Sequence, residues 1–373
     1  MSGTIDKLFN EQKSLDLAQL TTDAVAKIQQ FPSIALDIFA TSNGKNNYPF
    51  STVFGETINA DFSIKLQKFS GPLKLNVNSP NTRASLVGQF NNGILTLNEP
   101  VYAQVTMTPE MSKLILQDVN PLSIDSITSK NPITLMIDSK GFSFPVYPYD
   151  VRQVAIPFAR LELGQISCRN EGNINITLGL LKSKQFDKGR DLNLWFAPID
   201  MHVKDGFADV ERTEILLADT FEIALWGKVD LFKDYIDMTL GLTAQCLKKA
   251  FGIKDLPAEY VLQIPMKGPA DNVQINTGSA TAKIALLLAA QQKGLAGAIG
   301  GGPAGAIVGE LFNRAIKLPD MGTPAPAAKH PFPWEVGKKN LKSENDEELE
   351  PQGKKRHFKT KEKPLKQILK IIR

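Results

Sequence analysis

Apolar and polar residues alternate with the two-residue period of β-strands through much of 206–277. Two neighbouring runs there, 221–225 and 236–242, each place their apolar side chains on one face. These side chains belong to Phe221, Ile223, Leu225, Ile236, Met238, Leu240 and Leu242. The segment 227–234 suits a hairpin connection, and a short helix-like insert precedes an exit strand that contains Pro-Met-Lys-Gly-Pro at 265–269. The pattern predicts an antiparallel meander with one apolar face.

The same alternation predicts further strands upstream. Clear examples lie at 62–66, 73–77 and 133–137, and the dipeptide at 92–93, Asn-Gly, suits a tight hairpin turn. The most regular run is 173–180, for which we expect a strand with branched apolar side chains on one face. The apolar members of that run are Ile174, Ile176, Leu178 and Leu180.

Three helical segments flank or interrupt the predicted sheet. Residues 12–41 carry apolar side chains near helical spacing. Thr108 before Pro109 offers an N-cap and a first-turn proline for a short mid-chain helix. Residues 279–292 predict another helix, with Ser279 as its cap.

A glycine-rich segment follows the last of these helices. Four of its glycines recur at every fourth residue of the charge-free stretch 294–309, and they are Gly297, Gly301, Gly305 and Gly309. On a helix this spacing puts all of them on one face and lets another backbone approach closely. Three interpretations stay open: a helical hairpin packed on the end of the sheet, shallow membrane insertion, and a flexible loop.

The C-terminal residues differ in composition from the rest. Residues 319–363 combine prolines with an acidic run and predict a linker. Beyond it, the i, i+3, i+4 and i+7 positions of a basic amphipathic helix are occupied by Leu365, Ile368, Leu369 and Ile372. Such a helix suits an anionic membrane surface or a partner's groove, and a frayed charged tail is the alternative.

Charge is unevenly distributed along the 373 residues. The formal net charge is +4 at pH 7, but residues 354–373 carry nine Lys or Arg and one acid. The rest of the chain is therefore mildly acidic, which does not favour a nucleic-acid binder. The sequence shows neither an apolar signal-peptide core in 1–17 nor an uncharged apolar run of about 18 residues. Cys168 and Cys246 are interpreted as small buried hydrophobes, and pairing between them stays open.

Catalytic and metal-binding patterns are not found in the sequence. Of the three histidines, His330 and His357 fall in the predicted linker, which leaves no local histidine cluster for a metal. No phosphate-binding loop with its lysine, nucleophile elbow or zinc-ligand spacing occurs. We therefore expect a protein that is not an enzyme and that has no cofactor.

A sheet with one apolar face must cover that face. The predicted helices supply too few apolar residues for every strand in 48–277, so we expect a curled sheet whose apolar side stays open as a groove. Such a groove suits acyl chains, because each buried methylene contributes roughly 0.8 kcal/mol. The apolar residues named above at 174–180, 221–225 and 236–242 are the predicted lipid-binding residues.

One part of this pattern resembles the C-terminal region of AsmA-like proteins. The resemblance rests on Gly206-Phe207-Ala208-Asp209-Val210, the run from Phe221 to Leu231, the run from Tyr235 to Leu240, and the exit Ile264-Pro265-Met266-Lys267-Gly268-Pro269 with Val273 and Ile275. It implies a repeating β-groove protein of Gram-negative envelopes that is anchored in the inner membrane and carries phospholipids toward the outer membrane. The family's N-terminal membrane anchor and export signal are not seen in this sequence.

The expected fold class is mainly β, with one long curved antiparallel sheet forming a groove, an N-terminal helix, a short mid-chain helix and a C-terminal Gly-rich helical segment. The expected domains are a helical segment at 1–47, a sheet body at 48–277 with its AsmA-like part at 206–277, the Gly-rich helical segment at 278–318, and a disordered linker with a basic tail at 319–373.

The expected function is non-enzymatic lipid binding and transfer, or outer-membrane assembly, in the periplasm. The expected ligand is a phospholipid or another acyl-chain lipid, and inner-membrane association would come through a part absent from this chain. The four glycines and the four apolar tail residues are predicted to contact a membrane surface or an outer-membrane protein. The alternative is an envelope scaffold with a self-covered β core that binds a protein partner through its C-terminal tail.

Overall fold

The computed structural model describes residues 2–6, 17–42, 49–115, 127–181, 187–254, 256–292, 322–327 and 331–336. These residues form one open antiparallel sheet of 19 strands, with six α-helices and short 3-10 turns at Leu17–Gln19 and Val151–Gln153. The strands are β1 (Ser2–Asp6), β2 (Thr21–Pro32), β3 (Thr57–Leu66), β4 (Gly71–Asn78), β5 (Thr82–Asn91), β6 (Ile94–Leu97), β7 (Val101–Val105), β8 (Thr128–Ser129), β9 (Ile133–Ile137), β10 (Phe144–Pro145), β11 (Ile156–Glu162), β12 (Gln165–Arg169), β13 (Asp191–Phe196), β14 (Ile199–Lys204), β15 (Phe207–Leu217), β16 (Phe221–Asp230), β17 (Tyr235–Thr243), β18 (Val261–Pro269) and β19 (Gln274–Ile275). The helices are α1 (Ser33–Ser42), α2 (Phe50–Phe54), α3 (Pro109–Ile115), α4 (Gly172–Leu180), α5 (Ala244–Phe251) and α6 (Thr277–Gln292). The predicted mainly β class with one long antiparallel sheet is confirmed.

The chain meanders, because strands that follow one another in sequence are mostly neighbours in the sheet. Strands β1 to β5 pair in order, and strands β15 to β19 do the same. Between these two groups, several extended segments are interrupted by two or three residues that are not in a strand. Each such segment therefore forms two consecutive short strands, namely β8 and β9, β11 and β12, and β13 and β14. β15 is undivided and pairs with β14 along its first half and with β13 along its second half.

The divisions line up across neighbouring strands and form a crease in the sheet. The gaps at 130–132, 163–164 and 197–198 lie side by side, since backbone hydrogen bonds join Lys130 to Gln165 and Phe196 to Gly164. In β15 the crease continues as an irregularity between Val210 and Thr213. Local chemistry explains it: Pro132 and Pro198 lack the N–H that a ladder needs, and Gly164 adopts a positive φ of 60°.

The sheet also curls toward the face that carries α4. Asn173 Nδ2 donates to Val273 O at 3.0 Å, although β12 and β19 are six strand spacings apart in the ladder. A flat sheet would hold these strands about 29 Å apart. The four residues from Arg169, which ends β12, to Asn173 span at most about 14 Å, so a flat sheet cannot make this contact.

Two apolar clusters lie on this face of the sheet. The first cluster joins β9 and β12 to β19 with α3 and with the three helices α4, α5 and α6. The second cluster lies at the opposite ends of the strands, around the β3–β4 and β5–β6 turns. Its buried members are Leu66, Phe69, Phe90, Leu95, Leu97 and Phe142.

Local predictions have mixed outcomes. The mid-chain helix is confirmed, because Thr108 Oγ1 accepts from the Met111 N–H at the start of α3. The Asn-Gly hairpin is confirmed as well, since both of its residues have positive φ and β5 pairs with β6 around it. The cap of α6 is Asn276, whose side chain accepts from Ser279 N at 3.0 Å, so Ser279 was the wrong residue.

The helix predicted over 12–41 is wrong for Thr21–Pro32, which forms β2 of the sheet. Helical structure begins only at Ser33, with α1. The spacing of Ala24, Ala26 and Ile28 also fits a strand, and pairing along the whole of β3 decides the outcome. The sheet therefore begins before residue 48.

Candidate functional site

A row of apolar side chains crosses six neighbouring strands in register. Its members face one another in turn across β2, β3, β4, β5, β7 and β9, and each is half-buried. They are Ile28, Ala60, Val77, Ala84, Ala103 and Leu135. A second row runs beside it on the same face and consists of Ala26, Phe62, Leu75 and Leu86. We call these ten residues the apolar floor.

The opposite face of the same strands is polar. Lys27, Asp61, Asn76 and Ser85 occupy the intervening register positions from β2 to β5. Lys27 and Asp61 are exposed, as expected for a surface in water. The N-terminal half of the sheet is therefore largely one-sided, with most of its apolar groups on the face that also carries the two apolar clusters.

The floor lies between the two apolar clusters. Nine of its residues belong to neither cluster, and Leu86 alone packs against the second one. Four floor residues are alanines, which fill little volume above the sheet. The half-buried state of all ten means that water or another molecule reaches an apolar strip several strands wide.

The C-terminal half of the same face is covered by the protein's own helices. All seven strand residues predicted to bind lipid there are at most 6% exposed. They are Phe221, Ile223, Leu225, Ile236, Met238, Leu240 and Leu242. They pack in the first cluster with side chains of α4, α5 and α6, such as Leu178, Leu247 and Ile284. The expectation that this part of the face stays open is wrong.

The run 173–180 is helix α4 and not a strand, which corrects a second prediction. Ile174 and Leu178, one helical turn apart, are each 1% exposed, whereas Ile176 is 42% exposed and Leu180 is half-buried. Asn173 ties the helix to the residue before β19, because its Nδ2 donates to Val273 O, and within the helix Thr177 Oγ1 donates to Asn173 O. One of the covering helices was thus assigned to the sheet, which explains the underestimate of helical cover.

The outer face of the C-terminal half carries a strap formed by 322–327 and 331–336. Gln263 Nε2 donates to Gly322 O, and Arg212 Nη1 donates to Ala325 O, both at 2.8 Å. The strap's aromatic pair, Phe332 and Trp334, packs on β13 and β15 in a small cluster with Trp195 and Leu216. The linker prediction is therefore wrong for these two pieces.

The remaining predicted contact residues lie outside the described residues. This holds for Gly297, Gly301, Gly305 and Gly309, and for Leu365, Ile368, Leu369 and Ile372. Within the described ranges, no helix is both long and apolar enough to cross a membrane.

Reactive groups are few in the part of the chain that the structure describes. It holds no group of three or more His, Cys, Asp or Glu residues placed to bind a metal ion. Cys168 and Cys246 are both buried free thiols. Burial, with a smaller contribution from Asp191, raises the pKa of Cys168 to about 12, and burial raises the pKa of Cys246 as well. Neither thiol is a thiolate nucleophile at neutral pH.

The floor was missed at the sequence level although its signal is present. Alternation at 73–77 predicts β4 correctly, but the small alanines at 60, 84 and 103 do not look like a binding surface in isolation. Register brings them into one row, and register between strands is not readable from the alternation alone.

Comparison of the chain with protein-family models, with curated proteins and with solved structures finds no match.

Proposed function

We propose that this protein is a non-enzymatic lipid-binding and lipid-transfer protein whose apolar floor holds acyl chains. The observation that carries the proposal is the in-register apolar row across six strands, half-buried on one face and backed by a polar face. Each methylene moved from water onto such a surface contributes roughly 0.8 kcal/mol when fully buried.

The composition of the floor favours a flexible chain over a compact polar ligand. All ten floor side chains are aliphatic or aromatic, so none fixes a ligand by a hydrogen bond. An acyl chain needs no such partner, and it can move along the row without breaking directional contacts. The alanines leave the room that a chain of methylenes would fill.

The helix-covered half acts in this proposal as the rigid support of the floor. Because α4 to α6 bury the C-terminal strands, lipid occupies only the N-terminal half of the face. A place in a Gram-negative envelope, with a phospholipid as the ligand, belongs to the same proposal and rests on the AsmA-like pattern at 206–277.

A pair of matched double variants tests the proposal. Val77 and Ala84 face each other on the floor, and Asn76 and Ser85 face each other one position away on the polar side. We expect Val77→Asp with Ala84→Asp to lose most of the lipid that mass spectrometry detects in organic extracts of the purified protein. Asn76→Asp with Ser85→Asp adds the same charge pair to the same strands and should keep it. Equal lipid recovery from both folded variants, or a lipid-free parent protein, would contradict the proposal.

A scaffold protein is the second candidate, and the self-covered C-terminal half favours it. If the chain only presents a binding tail, the purified protein carries no lipid, and deletion of 354–373 removes a protein partner without other effect. The same lipid extraction therefore separates the two functions.

A further inference from the structure

Two short helices, α1 and α2, form an apolar platform beside the floor. Phe31, Ile34 and Ile38 are 37%, 55% and 65% exposed. Ile34 and Ile38 are four residues apart on α1 and so lie on the same helical face. All five residues of α2 are half-buried, including the stacked rings of Phe50 and Phe54. We call α1 and α2 together the platform.

The platform is firmly held, so its apolar surface is a fixed feature. Ser33 is fully buried, and its hydroxyl donates to the carbonyls of Gly55 and Glu56 just after α2. Residues around the start of β5 also hold α2: Asn81 Nδ2 donates to Thr52 O at 3.2 Å, and Thr82 Oγ1 donates to Val53 O at 2.7 Å.

The platform is also nearly free of charge. Asp37 is the one ionisable residue in α1 and α2, and its carboxylate accepts from the Ser51 N–H of α2. The platform therefore carries a single ionisable group, and the partly buried carboxylate of that group is hydrogen-bonded to α2.

The position of the platform connects it to the floor. α1 begins at Ser33, directly after β2, and β2 carries both the exposed Phe31 and the floor residue Ile28. α2 is hydrogen-bonded to the start of β5, two residues before the floor residue Ala84. An acyl chain that left a bilayer at the platform would meet the first floor row at once.

We propose that the platform is a membrane-contact element that rests in the surface of a lipid bilayer and delivers acyl chains to the floor. This inference rests on the proposed function, since the adjoining lipid floor is what selects a bilayer over a protein as the occupant. The exposed apolar pair Ile34 and Ile38 on α1, with Phe31 just before the helix, matches the apolar face of an interfacial helix.

Vesicle flotation of the full chain tests the inference. Phosphatidylcholine vesicles at high salt are used, because they suppress attraction through the basic residues of 354–373. We expect Ile34→Asp with Ile38→Asp to lower the vesicle partition coefficient by on the order of tenfold or more. The control, Tyr149→Asp with Phe232→Asp, also introduces two Asp residues, at large side chains elsewhere that are 63% and 62% exposed, and it should float like the parent.

The outcomes separate this inference from the proposed function. Absence of flotation in the parent, or equal flotation of both variants, would overturn the platform proposal whatever lipid the protein carries. A parent dimer that dissociates in the Ile34→Asp, Ile38→Asp variant, without vesicle binding, would make the platform a self-association surface and overturn it too. Lipid extraction tests lipid binding by the floor independently of membrane binding. A lipid-free parent protein would therefore refute the proposed function of the floor, and the flotation result would still show whether the platform binds membranes.

Discussion

The Arg212 guanidinium lies 2.8 Å from the Glu214 carboxylate at the crease of β15, with side chains that are 6% and 1% exposed. The contact is an ion pair and not an aligned hydrogen bond. Arg212 also donates to Ala325 O and stacks over the Trp226 ring at 5.7 Å, so it links the sheet to the strap. The pair thus lies where the irregular backbone of the crease meets the C-terminal strap.

Arg212→Ala should strongly destabilise the protein, because it leaves the Glu214 carboxylate buried without its cation. Breaking a buried pair in this way costs roughly 3–5 kcal/mol. Urea unfolding followed by circular dichroism gives the change in unfolding free energy. The control is Lys65→Ala, which removes an exposed pair with Asp23 and should cost less than about 1 kcal/mol. Similar losses from both variants would show that Arg212 is not held in a buried pair.

Cys168 and Cys246 should resist thiol reagents in the native state and react in urea. Burial raises both pKa values, so the folded protein keeps both thiols protonated where the unfolded chain ionises. Their contribution to stability is therefore complete below the ordinary thiol pKa of 9.0 and falls as the pH rises toward about 12, the value for Cys168.

Ellman's reagent at pH 8, with and without urea, checks the accessibility of the two thiols. Urea midpoints at pH 8 and at pH 10 check the linkage, and the midpoint should be lower at pH 10. Other groups also titrate at alkaline pH; for example, burial raises the pKa of Tyr260 to about 12. The Cys168→Ser, Cys246→Ser double variant measures the contribution of these other groups to the change in midpoint. Rapid native labelling would contradict the buried placement of both thiols.

The sequence predicts the strands best where alternation and turn chemistry agree. Leu73 to Val77 and the Asn92-Gly93 hairpin are of this kind, since each local signal allows one structure. The run from Ile174 to Leu180 allows two structures. Its apolar residues fit the two-residue spacing of a strand and also the four-residue spacing of a helix. The helix is selected by a distant contact, the hydrogen bond from Asn173 to Val273.

The candidate site illustrates the same limit. Ala60, Ala84 and Ala103 form part of one continuous apolar row only because the register of β3, β5 and β7 aligns them. In the strap, the aromatic pair Phe332 and Trp334 was the available signal against a linker, but the surface that it covers is assembled from β13 and β15. Non-local pairing, and not local propensity, decides both features.

Two glycine substitutions should have opposite effects on stability and test the assignment of α4. Gly179 lies in α4 with open space around it, so Gly179→Ala should stabilise the protein by roughly 0.5–1 kcal/mol. Gly227 in β16 has a φ of 138°, and a Cβ there would lie 2.6 Å from Asp237 O. Gly227→Ala should destabilise the protein by roughly 1–3 kcal/mol. Thermal melts of both variants give the signs, and a destabilised Gly179→Ala would count against a helix at 172–180.

Filling the floor without adding charge gives the most direct test of its volume. Ala60→Leu with Ala103→Leu places two larger apolar side chains on the first floor row, where the structure leaves both positions half-buried. Because the added groups are apolar and border open space, the unfolding free energy should stay within about 1 kcal/mol of the parent. The space for an acyl chain shrinks, so the molar ratio of extracted lipid to protein should fall, and fluorescent fatty acids should bind more weakly. The matched control is Ser85→Leu with Gln104→Leu, which adds two apolar side chains on the polar face of β5 and β7 and should leave lipid content unchanged. If the filled floor holds as much lipid as the parent, acyl chains bind elsewhere on the protein.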